Sequence, residues 1–181
     1  MIKTVLRYFC VFAALFPAIS CGKAGRESIY ASQETRIASY IESETKTEGV
    51  TFVNNDGIYR IIYEEGTGDA LSAGGVVSFY YAAYVFTGSK SVSNLIATNH
   101  KETAEKASWD VSDASRFEAL TVGVEESGFV EGLKRGIVGV KADQHAAVVF
   151  SGRYGFGDKI YGKVPAHSAL LYEIWVVAVT N

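Results

Sequence analysis

The sequence has few of the residues on which most enzyme chemistry depends. Its 181 residues include three histidines, two cysteines and one methionine. The histidines are His100, His145 and His167, and no second His or Cys lies within four positions of any of them. Metal sites are typically built from such closely spaced ligands. We therefore expect no metal ion and no cofactor.

The sequence also lacks a nucleophile motif, a phosphate-binding loop and a positive net charge. No Gly-x-Ser-x-Gly motif is present to supply the nucleophile of an acyl-transfer triad. The glycine-rich run at 152–157 does not match a phosphate-binding loop, and no helix is predicted after it. The formal net charge is -3, which is unlike the basic footprint of a nucleic-acid-binding protein. We expect no nucleic-acid partner.

The residues that are abundant favour a β-rich globular domain. Proline is scarce, at 2 residues, whereas tyrosine and phenylalanine contribute 11 and 10. Hydrophobic residues make up 48% of the chain, which is enough for a substantial core. Aromatic and β-branched residues favour strands. The length suggests one domain with short appendages.

The first twenty residues have the pattern of a signal peptide. Lys3 and Arg7 precede an apolar run that is too short to span a bilayer. The following "AISC", residues 18–21, resembles the lipobox of bacterial lipoproteins, with Ala18 where leucine is expected. This resemblance implies cleavage before Cys21 and lipidation of Cys21. The alternative is an ordinary secretory signal cleaved nearby.

The cysteine count and the residues after Cys21 extend this hypothesis. Cys10 lies in the segment to be removed, so Cys21 is the only cysteine left and no internal disulfide can form. Small and polar residues at 21–28 predict a tether between lipid and domain. Gly22 is not acidic, which favours the outer membrane over the inner one. We expect a protein anchored in the bacterial envelope, on the periplasmic or the surface face.

The periodicity of the rest of the chain predicts an α+β domain. Ile37, Tyr40 and Ile41 have helical spacing and predict an N-terminal helical segment over 29–49. An Asn-Asp-Gly turn at 55–57 predicts a hairpin between two strands. Alternation along 77–85 places Tyr81 on the core face. The polar stretch 89–115 predicts a surface excursion with one short helix.

The C-terminal third predicts one more helix and two more strands. Phe129, Leu133 and Ile137 form one helical stripe, which predicts a short helix ending at Gly136. Two apolar runs follow, and the last places one set of alternating residues on a single face: Leu170, Tyr172, Ile174, Val176 and Ala178. Together these elements predict antiparallel strands around one central helix.

The order of motifs from Gly57 to Val179 resembles the FKBP-type peptidyl-prolyl cis-trans isomerases. The likeness rests on "GIYRIIYEEGTG", on Tyr81 seven residues before Gly88, and on "FVEGLKRG", "YGFG" and "VPAHSALLYEIWV". It implies an FKBP-like antiparallel β-sheet wrapped around a short central helix over residues 50–181. The N-terminal helix would precede this domain.

The resemblance also implies a pocket for proline-containing segments. Its catalytic positions would be Tyr81, Val130 and Phe156, with the backbone amide of Val130 donating to a carbonyl. Its substrate contacts would be Ile96, Phe129, Leu133, Val164 and Tyr172. Rotation about an Xaa-Pro bond breaks no covalent bond, so it needs no nucleophile, metal or cofactor.

Three positions depart from the family pattern. Leu133 stands where the family usually has tryptophan, and Phe156 stands where it has a hydrogen-bonding tyrosine. The family's Phe-Asp pair matches Ile96-Ala97 in one register and Ser91-Val92 in another, and neither register keeps the carboxylate. Asp110 and Asp113 in the excursion are candidates to replace it.

These features together favour a lipid-anchored isomerase or folding assistant that acts weakly on Xaa-Pro bonds of envelope proteins. A non-catalytic peptide-binding or chaperone module on the same fold is the alternative, because polar and aromatic pocket groups are lost. A purely structural surface lipoprotein is a third possibility. Its pocket would be filled by its own side chains.

Overall fold

A computed structural model describes residues 20–181 of the chain. The predicted signal peptide therefore lies outside the described residues except for Ser20, and of Cys21 only the helical backbone is described. Within these residues three α-helices and seven strands follow one another: α1 (Ser20–Glu44), β1 (Thr51–Asn55), β2 (Ile58–Glu64), β3 (Val76–Val85), β4 (Leu95–Thr98), α2 (Lys101–Lys106), β5 (Leu120–Gly123), α3 (Glu131–Ile137), β6 (His145–Phe150) and β7 (Leu170–Thr180).

All seven strands belong to one antiparallel sheet. Its order is β1-β2-β6-β7-β3-β4, and β5 pairs with the first half of β3 beside β4. The longest pairing joins β3 to β7, from Val76–Thr180 to Val85–Leu170. The α+β class and the antiparallel sheet predicted from the sequence are confirmed.

The sheet is covered by a helix on each face. On one face α3 packs in a core that includes Val148 and Phe150 of β6 and Ile174 of β7. On the other face α1 packs in a second core that includes Ala147 and Val149 of β6. Because β6 is buried on both faces, its residues read as a continuous apolar run rather than an alternating one.

The predicted hairpin between β1 and β2 is present. Asp56 and Gly57 both have positive φ, at 52° and 83°, which is the combination that a type I′ turn requires. The Asn54 side chain accepts a hydrogen bond from the Gly57 N–H at 3.0 Å. The Asn-Asp-Gly signal was therefore sufficient to locate this turn.

Helix α3 lies close to the sheet because two of its residues are glycines. A Cβ at Gly132 would overlap the Phe150 ring, and a Cβ at Gly136 would overlap the Val148 side chain. The buried Arg60 of β2 donates to the carbonyls of Gly136 and Val138, at 3.0 and 2.6 Å. A cation at these carbonyls satisfies acceptors that the end of a helix leaves free.

Both predicted bounds of the N-terminal helical segment, residues 29 and 49, are wrong. Residues 21–28, predicted as a tether, are helical, and α1 runs unbroken from Ser20 to Glu44. Arg26 and Glu27 in these turns make ion pairs with Asp158 and Arg153, 3.2 and 2.7 Å long. Such distant partners cannot be found from local composition. No helix of residues 20–181 is both long enough and apolar enough to cross a bilayer.

Two predictions about the sheet also need correction. The polar stretch 89–115 is not only a surface excursion, because it contains β4, which pairs with β3. In β7 the register with β3 shifts so that Phe79 pairs with Val176 but Ser78 pairs with Ala178. Val177 is the extra residue, and this bulge leaves Ala178 exposed and packs Val179 against the core instead.

Candidate functional site

One apolar cavity of about 620 Å³ opens between the α3 face of the sheet and a long loop. The loop runs from Gly152 to His167 between β6 and β7, and is called the flap below. Drug-sized ligands and short peptide segments are typically bound by cavities of roughly 300–1,000 Å³. Phe79, Ala83 and Val164 are its most deeply buried lining residues.

The structure brings all eight of the predicted pocket residues to this cavity. They come from β3, β4, the start of α3, the flap and β7, and they are Tyr81, Ile96, Phe129, Val130, Leu133, Phe156, Val164 and Tyr172. Their individual roles stay predictions, because their placement does not by itself assign a task to each side chain. The remaining predicted site residue, Cys21, has no described side chain.

Tyr81 is held by hydrogen bonds to its backbone from the end of β4. The Tyr81 N–H donates to the Asn99 side-chain oxygen at 2.6 Å, and the Thr98 hydroxyl donates to the Tyr81 carbonyl at 2.6 Å. The Asn99 amide also donates to the Glu118 carbonyl at 2.9 Å. This polar cluster fixes the strand position from which the Tyr81 ring reaches the cavity.

Val130 is the residue that precedes the first turn of α3. Its φ and ψ are -60° and 149°, and its carbonyl accepts from the Lys134 N–H at 3.0 Å. The Val130 N–H makes no hydrogen bond to any residue in the described part of the chain. Amides at the start of a helix lack partners within the helix, so this one is available to a ligand carbonyl.

The flap contributes an aromatic pair and a small hairpin. Phe156 and Tyr161 stack with centroids 4.7 Å apart and rings 6° from parallel. Tyr161 and Val164 exchange two backbone hydrogen bonds of 3.1 and 2.9 Å around Gly162, whose φ is 55°. The hairpin holds Val164 buried while Tyr161 stays largely exposed at the rim.

Several lining residues were missed by the sequence analysis. Phe79 and Ala83 share the face of Tyr81 on β3, so the alternating pattern could have identified them. Trp109 comes from the excursion after α2 and Tyr161 from the flap hairpin. Nothing in the local sequence signals that either of these rings would reach the cavity.

The described lining of the cavity contains no carboxylate. Ala97 pairs with Ala83 across β4 and β3 and lines the cavity, whereas Ser91 and Val92 are not among its described lining residues. Asp110 accepts from the Ser112 N–H and Asp113 from the Ser115 N–H, and neither lines the cavity. Of the described lining residues only Lys163, at the rim, carries a charge.

Two tyrosine hydroxyls in the cavity have no partner within the described residues. Burial raises the pKa of Tyr81. Burial is the main cause that raises the pKa of Tyr172 to about 12, and the neighbouring Tyr81 and Tyr161 contribute less to the increase. Both hydroxyls therefore keep their protons at neutral pH and can donate a hydrogen bond to a carbonyl.

The raised pKa of Tyr172 predicts a loss of stability in alkali. Between pH 10 and about pH 12 the Tyr172 hydroxyl ionises in the unfolded chain but not in the folded one. The free energy of unfolding therefore decreases as the pH rises through this range. In Tyr172→Phe this loss should be smaller. Urea unfolding at pH 8 and pH 11 measures it, and an equal loss in both proteins would contradict the assignment.

The lining of the cavity supplies groups that can bind an apolar segment. Among the described residues no cluster of three or more His, Cys, Asp or Glu side chains could hold a metal ion. What the cavity offers includes an apolar surface, the Val130 backbone amide and the protonated hydroxyls of Tyr81 and Tyr172. Such a site can take an apolar segment out of water and donate to its carbonyl groups.

Comparison with known proteins identifies the class of this fold and site. The family model described as FKBP-type peptidyl-prolyl cis-trans isomerase matches residues 70–177. A curated relative, FK506-binding protein 1 of Aspergillus oryzae, is 24% identical over 118 residues, which are 65% of this chain and 94% of that protein.

Solved structures share the fold at low sequence identity. FkpA from Escherichia coli matches with a TM-score of 0.59 and 19% sequence identity. The match covers 87% of this chain and 64% of the FkpA chain. A peptidyl-prolyl cis-trans isomerase from Pseudomonas syringae pv. tomato has a TM-score of 0.58 and 16% identity, over 86% of this chain and 96% of that one. At these identities the structural likeness concerns the fold alone.

Proposed function

We propose that this chain, which belongs to the FKBP-type peptidyl-prolyl cis-trans isomerase family, is a weak isomerase or folding assistant that acts on Xaa-Pro bonds of envelope proteins. Membership of the family confirms the prediction of an isomerase rather than another class of enzyme. The observation that carries the proposal is the open apolar cavity in which the unpaired Val130 amide lies among aromatic side chains.

The proposed mechanism follows from the resonance of the amide bond. Rotation about a peptide bond faces a barrier of roughly 18–20 kcal/mol, because resonance gives the C–N bond double-bond character. The charge-separated resonance form is stabilised by water, so an Xaa-Pro bond that enters an apolar cavity rotates more easily. A donor that pairs with the carbonyl in the twisted state adds to this effect. Apolar walls and the Val130 N–H supply both parts.

Tyr172 is the second donor in this mechanism. The flap position that carries a tyrosine hydroxyl in the family is Phe156 here, whereas Tyr172 of β7 lines the same cavity and its hydroxyl has no partner among the described residues. Tyr172→Phe removes that one oxygen and should lower kcat/KM by about tenfold. Phe156→Tyr in the Tyr172→Phe background should restore part of the loss. If Tyr172→Phe has wild-type activity, Tyr172 is not a donor.

One experiment decides between catalysis and binding alone. Proton exchange spectroscopy of a Leu-Pro peptide reports cis-trans exchange and peptide binding separately. Exchange that is accelerated by the folded protein above the uncatalysed rate supports the isomerase. Binding with no acceleration would favour the alternative function.

The alternative is a non-catalytic peptide-binding or chaperone module. Ala97 in place of a carboxylate and Phe156 in place of a hydroxyl favour it, because both changes remove polar groups but leave the apolar cavity. The same observation is the reason to propose weak rather than strong catalysis. An open cavity of about 620 Å³ does not favour a purely structural role.

For the location we propose a lipid anchor at Cys21 and attachment to the outer membrane. The support is the "AISC" sequence with its preceding apolar run. Cys21→Ser in the full chain should move the protein from the membrane fraction to the soluble fraction or leave it unprocessed. Fractionation with a mass measurement of the N-terminal peptide distinguishes these results from wild type. A wild-type N-terminal peptide whose mass includes no acyl chains, together with an unchanged distribution of Cys21→Ser, would exclude lipidation.

A further inference from the structure

The buried side chain of Gln33 joins the N-terminal helix to both ends of the flap. Gln33 of α1 is 6% exposed, and its side-chain oxygen accepts from the Gly152 N–H at 2.8 Å. Its amide donates to the His167 carbonyl at 2.7 Å. Gly152 and His167 are the first and last residues of the flap, so one glutamine bridges both ends of the loop that covers the cavity.

The two ends of the flap meet at this bridge. A Cβ on Gly152 would overlap the His167 carbonyl, so the two backbones are in direct contact. His167 has a φ of 59°, in the left-handed region that residues other than glycine rarely adopt. A residue keeps such a conformation only where its surroundings hold it there. Gln33 holds the His167 carbonyl, and the Tyr30 hydroxyl lies 3.0 Å from His167 Nδ1.

Ion pairs at the surface add further contacts between α1 and the flap. Arg26 pairs with Asp158 and Glu27 with Arg153, and all four side chains are at least 40% exposed. Exposed ion pairs of this kind contribute little to stability. Loss of Gln33 would instead leave a buried N–H and a buried carbonyl without partners, which is far more disruptive.

We infer that Gln33 is a positioning residue that holds the flap over the cavity and so sets the affinity of the site for a peptide. The flap carries Phe156, Tyr161 and Val164 to the cavity, and all three move if its ends separate. Gln33 itself does not line the cavity. On this inference α1 is part of the binding machinery, although it lies outside residues 70–177, which match the family. The affinity claim rests on the proposed function, whereas the claim about the flap does not.

The test compares Gln33→Met with Gln144→Met in the full chain. Gln144 is also buried, at 2% exposure, but it directly precedes β6, and among the described residues no hydrogen bond joins it to the flap. Tyr30→Phe is a milder second variant, which removes only the hydroxyl next to His167. Hydrogen exchange by mass spectrometry follows residues 152–167 and the strands β6 and β7. Titration with a Leu-Pro tetrapeptide measures the Kd.

In Gln33→Met we expect exchange of the flap to be at least tenfold faster, exchange of β6 and β7 to be unchanged, and the Kd to rise by about tenfold. Tyr30→Phe should show a smaller change in the same segment, and Gln144→Met should show none. Wild-type exchange of the flap in Gln33→Met, or an equal change in Gln144→Met, would overturn the inference. A wild-type protein that binds no peptide would refute the proposed function, and the exchange measurement would still decide the role of Gln33.

Discussion

Replacing Val130 by proline should lower both isomerase activity and peptide affinity, with a loss of activity on the order of 10²-fold. Proline has no N–H, so this change removes the backbone donor that Val130 presents at the start of α3. The φ of Val130 is -60°, close to the value that the proline ring imposes, and its N–H has no partner within the described residues. The fold therefore loses no hydrogen bond when the donor is removed.

The matched control for this prediction is Val130→Ala, which keeps the amide and shortens the side chain. It should lose much less activity, because only the contact of two methyl groups with the ligand is removed. Thermal unfolding and circular dichroism check that both variants are folded. Equal activities of Val130→Pro and Val130→Ala would show that the N–H is not the donor, and the proposed mechanism would then need another one.

Gly132→Ala should destabilise the protein by about 3 kcal/mol. Gly132 lies in α3, and the Cβ that alanine adds would overlap the Phe150 ring, which is fully buried in the core. Neither the helix nor β6 can withdraw without separating α3 from the sheet. Urea denaturation measures the change in the free energy of unfolding. The same variant should also weaken peptide binding, because a displaced α3 carries Leu133 and the Val130 amide with it.

Gly25→Ala provides the comparison for this variant. Gly25 is also helical, in α1, but nothing lies within 4 Å of an added Cβ. Alanine is favoured over glycine in a helix by about 1 kcal/mol, so this change should stabilise the protein slightly or leave its stability unchanged. If Gly132→Ala were as harmless as Gly25→Ala, the close packing of α3 on β6 would be contradicted.

Local patterns in the sequence were enough to find most of the elements. The Asn-Asp-Gly turn located the first hairpin, and the alternation around Tyr81 located β3 and its inner face. The stripe of Leu133 and Ile137 located α3 to within one residue of its observed end. These signals are local because backbone conformation and side-chain periodicity depend on near neighbours along the chain. The identities of the pocket residues came from the family resemblance, not from periodicity.

Predictions failed where a distant contact decides the local structure. Residues 22–28 look like a flexible tether, but Arg26 and Glu27 find partners more than a hundred residues away on the flap. The bulge at Val177 arises from pairing with β3 and exchanges the orientations of Ala178 and Val179. Neither event leaves a signal in the neighbouring sequence.

The sequence by itself determined the class of the protein, an α+β domain with FKBP-type motifs in order. It also determined that Ala97 supplies no carboxylate and Phe156 no hydroxyl, because residue types are properties of the chain alone. Only the tertiary structure decided which further groups take part in the site. Trp109 from the excursion reaches the cavity, and Gln33 of α1 bridges the ends of the flap. The physical reason is that burial and hydrogen-bond partners depend on distances in space. Residues separated by more than a hundred positions come together only when the sheet and both of its covering helices have formed.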